Sequence, residues 1–141
     1  ICAENLEEYH RLYPEALDEL ASRIGYRVRP SYIWHGQDKE GLDYLIIGMV
    51  NDGIAGVPGV LRLTLFTDEG VVCSGCLDAG YPEAGGGVRS GMMYLPKGMD
   101  WNNGNLRLKV ELEVKGMRHP VPMAVAETLN PDGSLTIKKM I

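Results

Sequence analysis

The sequence has no apolar run of the length that a membrane-spanning helix needs. Hydrophobic residues make up 45% of the 141 residues, but they occur in short, interrupted segments, whereas a spanning helix needs roughly 18 or more in succession. The first five residues lack the basic start and apolar stretch of a signal peptide. Because the chain does not begin with Met, we expect an upstream segment to have been removed. We therefore predict a soluble domain of bacterial type, without predicting whether it is secreted or cytoplasmic.

An excess of basic residues is also lacking. The formal net charge is −5, which disfavours nucleic acid as a partner because phosphate binding needs clustered Lys and Arg. Arg107 and Lys109 alternate with Leu106, Leu108 and Val110, which is typical of the solvated face of a strand rather than of a basic patch. We predict neither a nucleic-acid partner nor a membrane partner.

Cysteine and histidine are too few and too scattered for a metal site. The three cysteines are an odd number, which does not suit a disulfide framework. Cys73 and Cys76 have the spacing of half a zinc knuckle, but no second half follows. The residues around them indicate a strand, on which side chains three apart face opposite sides. We predict two unpaired thiols, no metal and no cofactor.

Catalytic motifs are missing as well. The sequence contains no Gly-x-Ser-x-Gly motif, and the glycines at 85–87 precede a strand-like segment rather than the helix of a phosphate-binding loop. Glycoside hydrolysis needs two carboxylates facing each other across a cleft. Glu111 and Glu113 are two apart on one predicted strand and therefore share its outer face. The prediction is that the domain has no catalytic residue and is not an enzyme.

The chain changes character near Gly25. Residues 1–24 carry apolar side chains at three- and four-residue steps, which predicts a helical lead-in segment. Residues 25–141 show strand-like alternation broken by Gly- and Pro-rich turns. The predicted strands lie at 26–34 (bent at Pro30), 41–49, 60–67, 71–73, 92–95, 106–114, 121–126 and 134–141.

A series of seven or eight short strands predicts a mostly β domain. The favoured architecture is an antiparallel β-sandwich of immunoglobulin or fibronectin type, and a closed barrel is the alternative. The two predicted parts are the lead-in segment, 1–24, and the sandwich domain, 25–141.

Several aromatic residues fall in predicted loops or bent edges beside polar ones. Sugar rings stack their C–H faces on indole and phenol rings, while Asp and Asn bond sugar hydroxyls, so this mixture suits a carbohydrate site. The alternatives are that a loop Trp closes one end of the sandwich, or that these rings contact another domain. The candidate ligand-binding residues are Tyr32, Trp34, Tyr81, Asp100, Trp101 and Asn102.

Short motifs resemble a known arrangement in bacterial glycoside-hydrolase-like proteins. There, the last helix of a (β/α)₈ barrel passes into a C-terminal immunoglobulin-like sandwich. The helical pattern at 13–20, Ile-Gly-Tyr-Arg at 24–27, Asn-Asp-Gly at 51–53 and Leu-Pro-Lys-Gly at 95–98 carry the resemblance. It departs from the usual pattern in the loop at 80–91 and in the two cysteines. The resemblance implies a non-catalytic accessory domain, with the catalytic acids on an upstream barrel.

Three functions follow as hypotheses. The first is a carbohydrate-binding module for a polysaccharide or oligosaccharide. The second is a structural domain with no ligand of its own, which packs against an upstream catalytic domain of the parent chain. The third, a stand-alone small enzyme, is the least favoured. The apolar stripe of the lead-in segment also suggests homo-oligomers formed through the N-terminal helices.

Overall fold

A computed structural model describes residues 25–125 and 129–138. This part is mostly β and contains no helix, and the predicted helical lead-in segment, 1–24, lies outside it. The strands are β1 (Val28–Gln37), β2 (Asp43–Asn51), β3 (Val60–Thr67), β4 (Gly70–Cys76), β5 (Arg89–Tyr94), β6 (Arg107–Val114), β7 (Met117–Pro120) and β8 (Leu135–Thr136).

These strands form two antiparallel sheets. The first sheet has the order β1-β2-β5, and the second has the order β4-β3-β6-β7, with β8 paired to the beginning of β6. The prediction of a mostly β domain with antiparallel pairing is confirmed. Strand β1 is an edge strand whose register shifts between Pro30 and Tyr32, which agrees with the predicted bend, because Pro cannot donate to the ladder.

Alternation along the strands explains why the two sheets share one core. On β6, Leu108, Val110 and Leu112 are buried and the residues between them are partly exposed. Strand β2 likewise buries Leu45 and Ile47 completely. Apolar side chains from both sheets belong to a single hydrophobic cluster. Each fully buried Leu or Ile stabilises the fold by roughly 1.5–3 kcal/mol relative to an exposed one.

A buried amide connects three segments where β2 ends. The Asn51 residue is 3% exposed. Its Oδ1 accepts hydrogen bonds from the backbone N–H groups of Arg27 and Gly53, each at 2.9 Å. Its Nδ2 donates to the carbonyl oxygens of Ala55 at 2.9 Å and Pro82 at 3.3 Å. All four hydrogen-bonding positions of the amide are therefore used, and the predicted Asn-Asp-Gly turn has a structural role.

Of the two strands predicted near the C-terminal end, the one at 121–126 is wrong over its described residues and the one at 134–141 is confirmed only over two residues. Residues 121–125 are irregular, because their backbone bonds go to both sheets: the Val121 N–H donates to Val110 and the Ala124 N–H donates to Val28. The strand that follows β6 is instead β7, which starts directly after the turn at Lys115. Strand β8 covers only two residues of the predicted 134–141, and residues 139–141 lie outside the described part.

Candidate functional site

The outer surfaces of the two sheets differ in chemistry. On the second sheet, the Glu113 carboxylate accepts hydrogen bonds from Arg62 Nε at 2.6 Å and Arg118 Nε at 2.9 Å. The bond from Arg62, and secondarily the charges of both guanidinium groups, hold the pKa of Glu113 below its ordinary value. Lys109 lies 3.8 Å from the Glu111 carboxylate. This surface therefore satisfies its charges within itself.

The outer surface of the first sheet carries aromatic and aliphatic side chains. The strand register places its residues in three rungs, of which the middle one is Trp34, Ile46 and Met92. We call the nine residues the aromatic face. They are Tyr32, Trp34, Gly36, Tyr44, Ile46, Gly48, Ser90, Met92 and Tyr94.

Several large side chains of the aromatic face are open to solvent. Trp34 is 57% exposed, Met92 55%, Tyr94 48% and Tyr32 40%. The residues between them on the same strands point to the other side of the sheet, and some of these, such as Ile47, are buried in the core. Soluble monomers rarely expose large contiguous apolar patches, and such patches commonly mark interaction sites.

Two glycines allow tyrosine rings to lie against the sheet. A Cβ atom on Gly48 would lie 2.6 Å from Cζ and 2.7 Å from Cδ1 of Tyr32. One on Gly36 would lie 2.6 Å from Cζ and 2.9 Å from Cε2 of Tyr44. Several ring atoms at nearly equal distances mean that each ring turns one face to its glycine. The opposite ring face then points away from the sheet.

Edge-to-face contacts join three rings across the strands. The ring centroids of Trp34 and Tyr44 are 6.2 Å apart, and those of Tyr44 and Tyr94 are 5.9 Å apart, with interplanar angles of 62° and 69°. Such pairs contribute roughly 0.5–1.5 kcal/mol each beyond their buried area. The rings therefore hold one another in place across β1, β2 and β5.

The structure brings together only two of the six residues predicted for the site. Tyr32 and Trp34 share the aromatic face. The other four, Tyr81, Asp100, Trp101 and Asn102, are in loops that do not belong to this face.

Trp101 has a packing role. Its ring stacks on His35, with centroids 5.2 Å apart, and it packs against the hydrophobic cluster. His35 Nε2 lies 2.9 Å from Asp43 Oδ1. Hydrogen bonds from Gln37 first, and from His35 second, hold the pKa of Asp43 below its ordinary value. This arrangement matches the alternative in which a loop Trp closes one end of the two-sheet core.

The other predicted loop residues lie in two different loops, Tyr81 in one and Asp100 and Asn102 in the other. The Arg89 guanidinium carbon is 4.0 Å from the centroid of the half-buried Tyr81 ring, so one face of that ring is occupied. Asp100 is exposed and lines an open depression of about 510 Å³ between the β3–β4 turn and the loop at 96–105. Asn102 is exposed and belongs to the same loop.

Sequence reasoning missed Tyr44, Met92 and Tyr94 as members of the site. All three lie in predicted strands, whereas the predicted site residues lie in loops or in the bent edge strand at 26–34. The alternation of β2 carried the missing signal: Tyr44, Ile46 and Gly48 alternate with the buried Leu45 and Ile47. Large apolar residues on the solvent side of a strand indicate a covered or binding surface.

The described residues show no arrangement suited to metal binding. Within 25–125 and 129–138, no group of three or more His, Cys, Asp or Glu side chains is placed to hold a metal ion. Cys73 and Cys76 are both free thiols of β4, paired with Leu65 and Arg62 on opposite sides of the strand, as predicted. Glu111 and Glu113 lie side by side on the outer surface of the second sheet rather than across a cleft.

Comparisons with protein-family models, curated proteins and solved structures give no match for this chain. Among the described residues, no helix has the length and apolar character that crossing a membrane requires.

Proposed function

We propose that this chain is a non-catalytic accessory domain of a glycoside-hydrolase-like protein and that its aromatic face binds carbohydrate. The observation that carries the proposal is the set of rings on that face. Tyr32 and Tyr44 each turn one ring face outward, and Trp34 and Tyr94 are about half exposed beside them. Pyranose rings stack their C–H surfaces on such ring faces, and the tyrosine hydroxyls supply hydrogen-bond partners for sugar hydroxyls.

The strand order supports a sandwich of immunoglobulin or fibronectin type for this domain. Strands β1, β2 and β5 form one sheet, while β3, β4, β6 and β7, with the two-residue β8 beside β6, form the other. Immunoglobulin-like sandwiches likewise have strands A, B and E in one sheet and C, F and G in the other, and some members add C′ to the second sheet. The single cluster of buried side chains from both sheets is the core that such a sandwich needs.

The test is affinity electrophoresis of the 141-residue chain through gels that contain soluble polysaccharides, followed by calorimetry with any polymer that retards it. Trp34→Ala should weaken binding about tenfold or more, which corresponds to about 1.4 kcal/mol. Trp101→Ala is the matched control: it should lower Tm, because Trp101 packs on His35 and the core, and leave the affinity unchanged. Retardation that survives Trp34→Ala would contradict the proposal.

A second function, packing against a catalytic barrel, is favoured by a specific feature of the aromatic face. Ile46 and Met92 occupy its middle rung, and aliphatic side chains offer nothing to sugar hydroxyls but suit a protein interface. This function predicts that the 141-residue chain self-associates with rising concentration in sedimentation velocity, and that Met92→Ser weakens the association. A chain that stays monomeric and is retarded by a polysaccharide would reject it in favour of the first function.

A further inference from the structure

We infer that the ligand of the aromatic face is a neutral glycan chain, several sugar units long, that lies across the strands of the first sheet. This inference rests on the proposed function and names the substrate class. It is carried by the charges near the face, by the direction in which the rings are arranged, and by the openness of the surface.

The charge distribution excludes acidic sugars from this face. None of the nine residues of the aromatic face is charged. Uronates and sulfated sugars are recognised by Arg and Lys, which pair with carboxylate and sulfate groups. Arg29, which pairs with Val50 beyond the last rung of the face, already bonds the Asp52 carboxylate at 2.5 Å. The net charge of −5 adds a general repulsion of polyanions.

The cations of the second sheet do not provide an alternative site for an anionic chain. Arg62 and Arg118 both donate to Glu113, and Arg107 donates to Asp68. An acidic polysaccharide would have to displace these carboxylates before it could bind. The aromatic face, whose nine residues are all uncharged, is therefore the surface that offers free rings, and a neutral ligand loses no ionic hydration when it binds there.

The rings are arranged across the strands. Trp34 lies on β1, Tyr44 on β2 and Tyr94 on β5, and successive ring centroids are 6.2 and 5.9 Å apart. A ligand that contacts all three rings must extend over the full width of the sheet. The face is open, with Trp34 and Tyr94 about half exposed, so the affinity of a ligand depends on how much of the face it contacts. A chain of several sugars is thus favoured over a single sugar.

The experiment compares two sets of polymers on the 141-residue chain. The neutral set is galactomannan, glucomannan, xyloglucan and mixed-linkage glucan in gels, with insoluble cellulose and chitin in pull-downs. The anionic set is alginate, polygalacturonate and chondroitin sulfate. We expect at least one neutral polymer to bind and no anionic polymer to do so, with affinity unchanged within about twofold between about 50 and about 500 mM NaCl.

Length and position are tested with the polymer that binds. Its hexasaccharide should bind at least about tenfold more tightly than its monosaccharide. Trp34→Ala and Tyr94→Ala, at opposite edges of the sheet, should each cost about tenfold in affinity, while Trp101→Ala should not change it. Equal affinity for the two sugar lengths, or a loss confined to one edge of the face, would overturn the inference of a chain across the strands.

The outcomes separate the inference from the function on which it rests. Binding of an anionic polymer, or affinity that falls steeply with salt, would overturn the neutral ligand and leave a carbohydrate-binding domain. Failure of every polymer in both sets would overturn the proposed function itself, and the inference with it.

Discussion

Removing the Asn51 side chain is expected to be among the most destabilising polar substitutions in the described structure. The amide makes four hydrogen bonds to backbone groups of three segments, and the residue is only 3% exposed. A net contribution of about 1 kcal/mol for each bond gives about 4 kcal/mol for Asn51→Ala. For a chain of this length that loss corresponds to a decrease in Tm of roughly 10–15 °C.

The assay is urea unfolding of the 141-residue chain, followed by circular dichroism and by tryptophan fluorescence. Asn103→Ala is the matched control, because Asn103 is exposed and its side chain accepts one hydrogen bond, from the Asn105 N–H at 2.9 Å. This control should change the free energy of unfolding by no more than about 0.5 kcal/mol. A value for Asn51→Ala within about 1 kcal/mol of the unmodified chain would refute the reasoning.

Asn51→Asp separates the loss of hydrogen bonds from the loss of volume. The aspartate has the same shape, but at neutral pH it places an acceptor oxygen where Nδ2 donates to the carbonyls of Ala55 and Pro82. It should therefore be destabilising at pH 7 and recover part of its stability at acid pH, where the carboxyl can donate one bond. Equal stability of Asn51→Asp and the unmodified chain at pH 7 would contradict the assignment of the amide.

Three further predictions concern other parts of the fold. The pKa of Glu113 lies below its ordinary 4.5, so the stability that its carboxylate contributes is complete above about pH 4.5 and is lost as pH falls through the lowered pKa. The Tm values of Glu113→Gln and the unmodified chain should therefore converge in acid. A Tm difference that stays constant with pH would contradict this. Gly48→Ala should lower Tm because the new Cβ displaces the Tyr32 ring. The same substitution should not lower Tm in a chain that already carries Tyr32→Ala. An equal decrease in Tm in the two backgrounds would contradict the contact between Gly48 and Tyr32. Mass spectrometry should find Cys76, which is exposed, alkylated faster at neutral pH than Cys73, whose thiol pKa is raised by burial; equal rates would refute this.

Strands with clean alternation could be predicted from the sequence. Strand β3 has the predicted bounds, Val60–Thr67, because Leu61, Leu63 and Leu65 recur at every second position and a Gly-containing turn follows it. The segment at 121–125 alternates as clearly, with Val121 and Met123 buried. It forms no strand because its N–H groups bond one sheet and then the other. Hydrophobic periodicity predicts which side chains are buried, but it does not predict which strand the backbone pairs with.

Strand β7 illustrates the opposite case. All four of its residues are exposed, so no apolar alternation marks it. Its position is set by the two-residue turn at Lys115 and Gly116, which both have positive φ, 53° and 78°, as a type I′ hairpin turn requires. The turn itself could be predicted, and turn geometry rather than hydrophobicity determined where the next strand begins.

The candidate site was predictable in its chemistry but not in its membership. Aromatic residues were predicted to form the site, and two of them, Tyr32 and Trp34, lie together on the aromatic face. Tyr94 joins them only because β5 pairs with β2 across about 40 residues of intervening sequence. Trp101 lies between polar residues, as a ligand-binding loop residue would, but its ring stacks on His35. Distant strand pairing, which single-sequence patterns do not encode, decides which rings meet.

The contrast between the two outer surfaces would orient the domain if the aromatic face binds as proposed. With the ring-bearing side resting on a ligand or a neighbouring domain, the ion-paired side, including Glu113 and its two arginines, must point back towards water. Attachment would therefore hide the rings from solvent and leave the charged hairpin of β6 and β7 as the surface that the surroundings encounter.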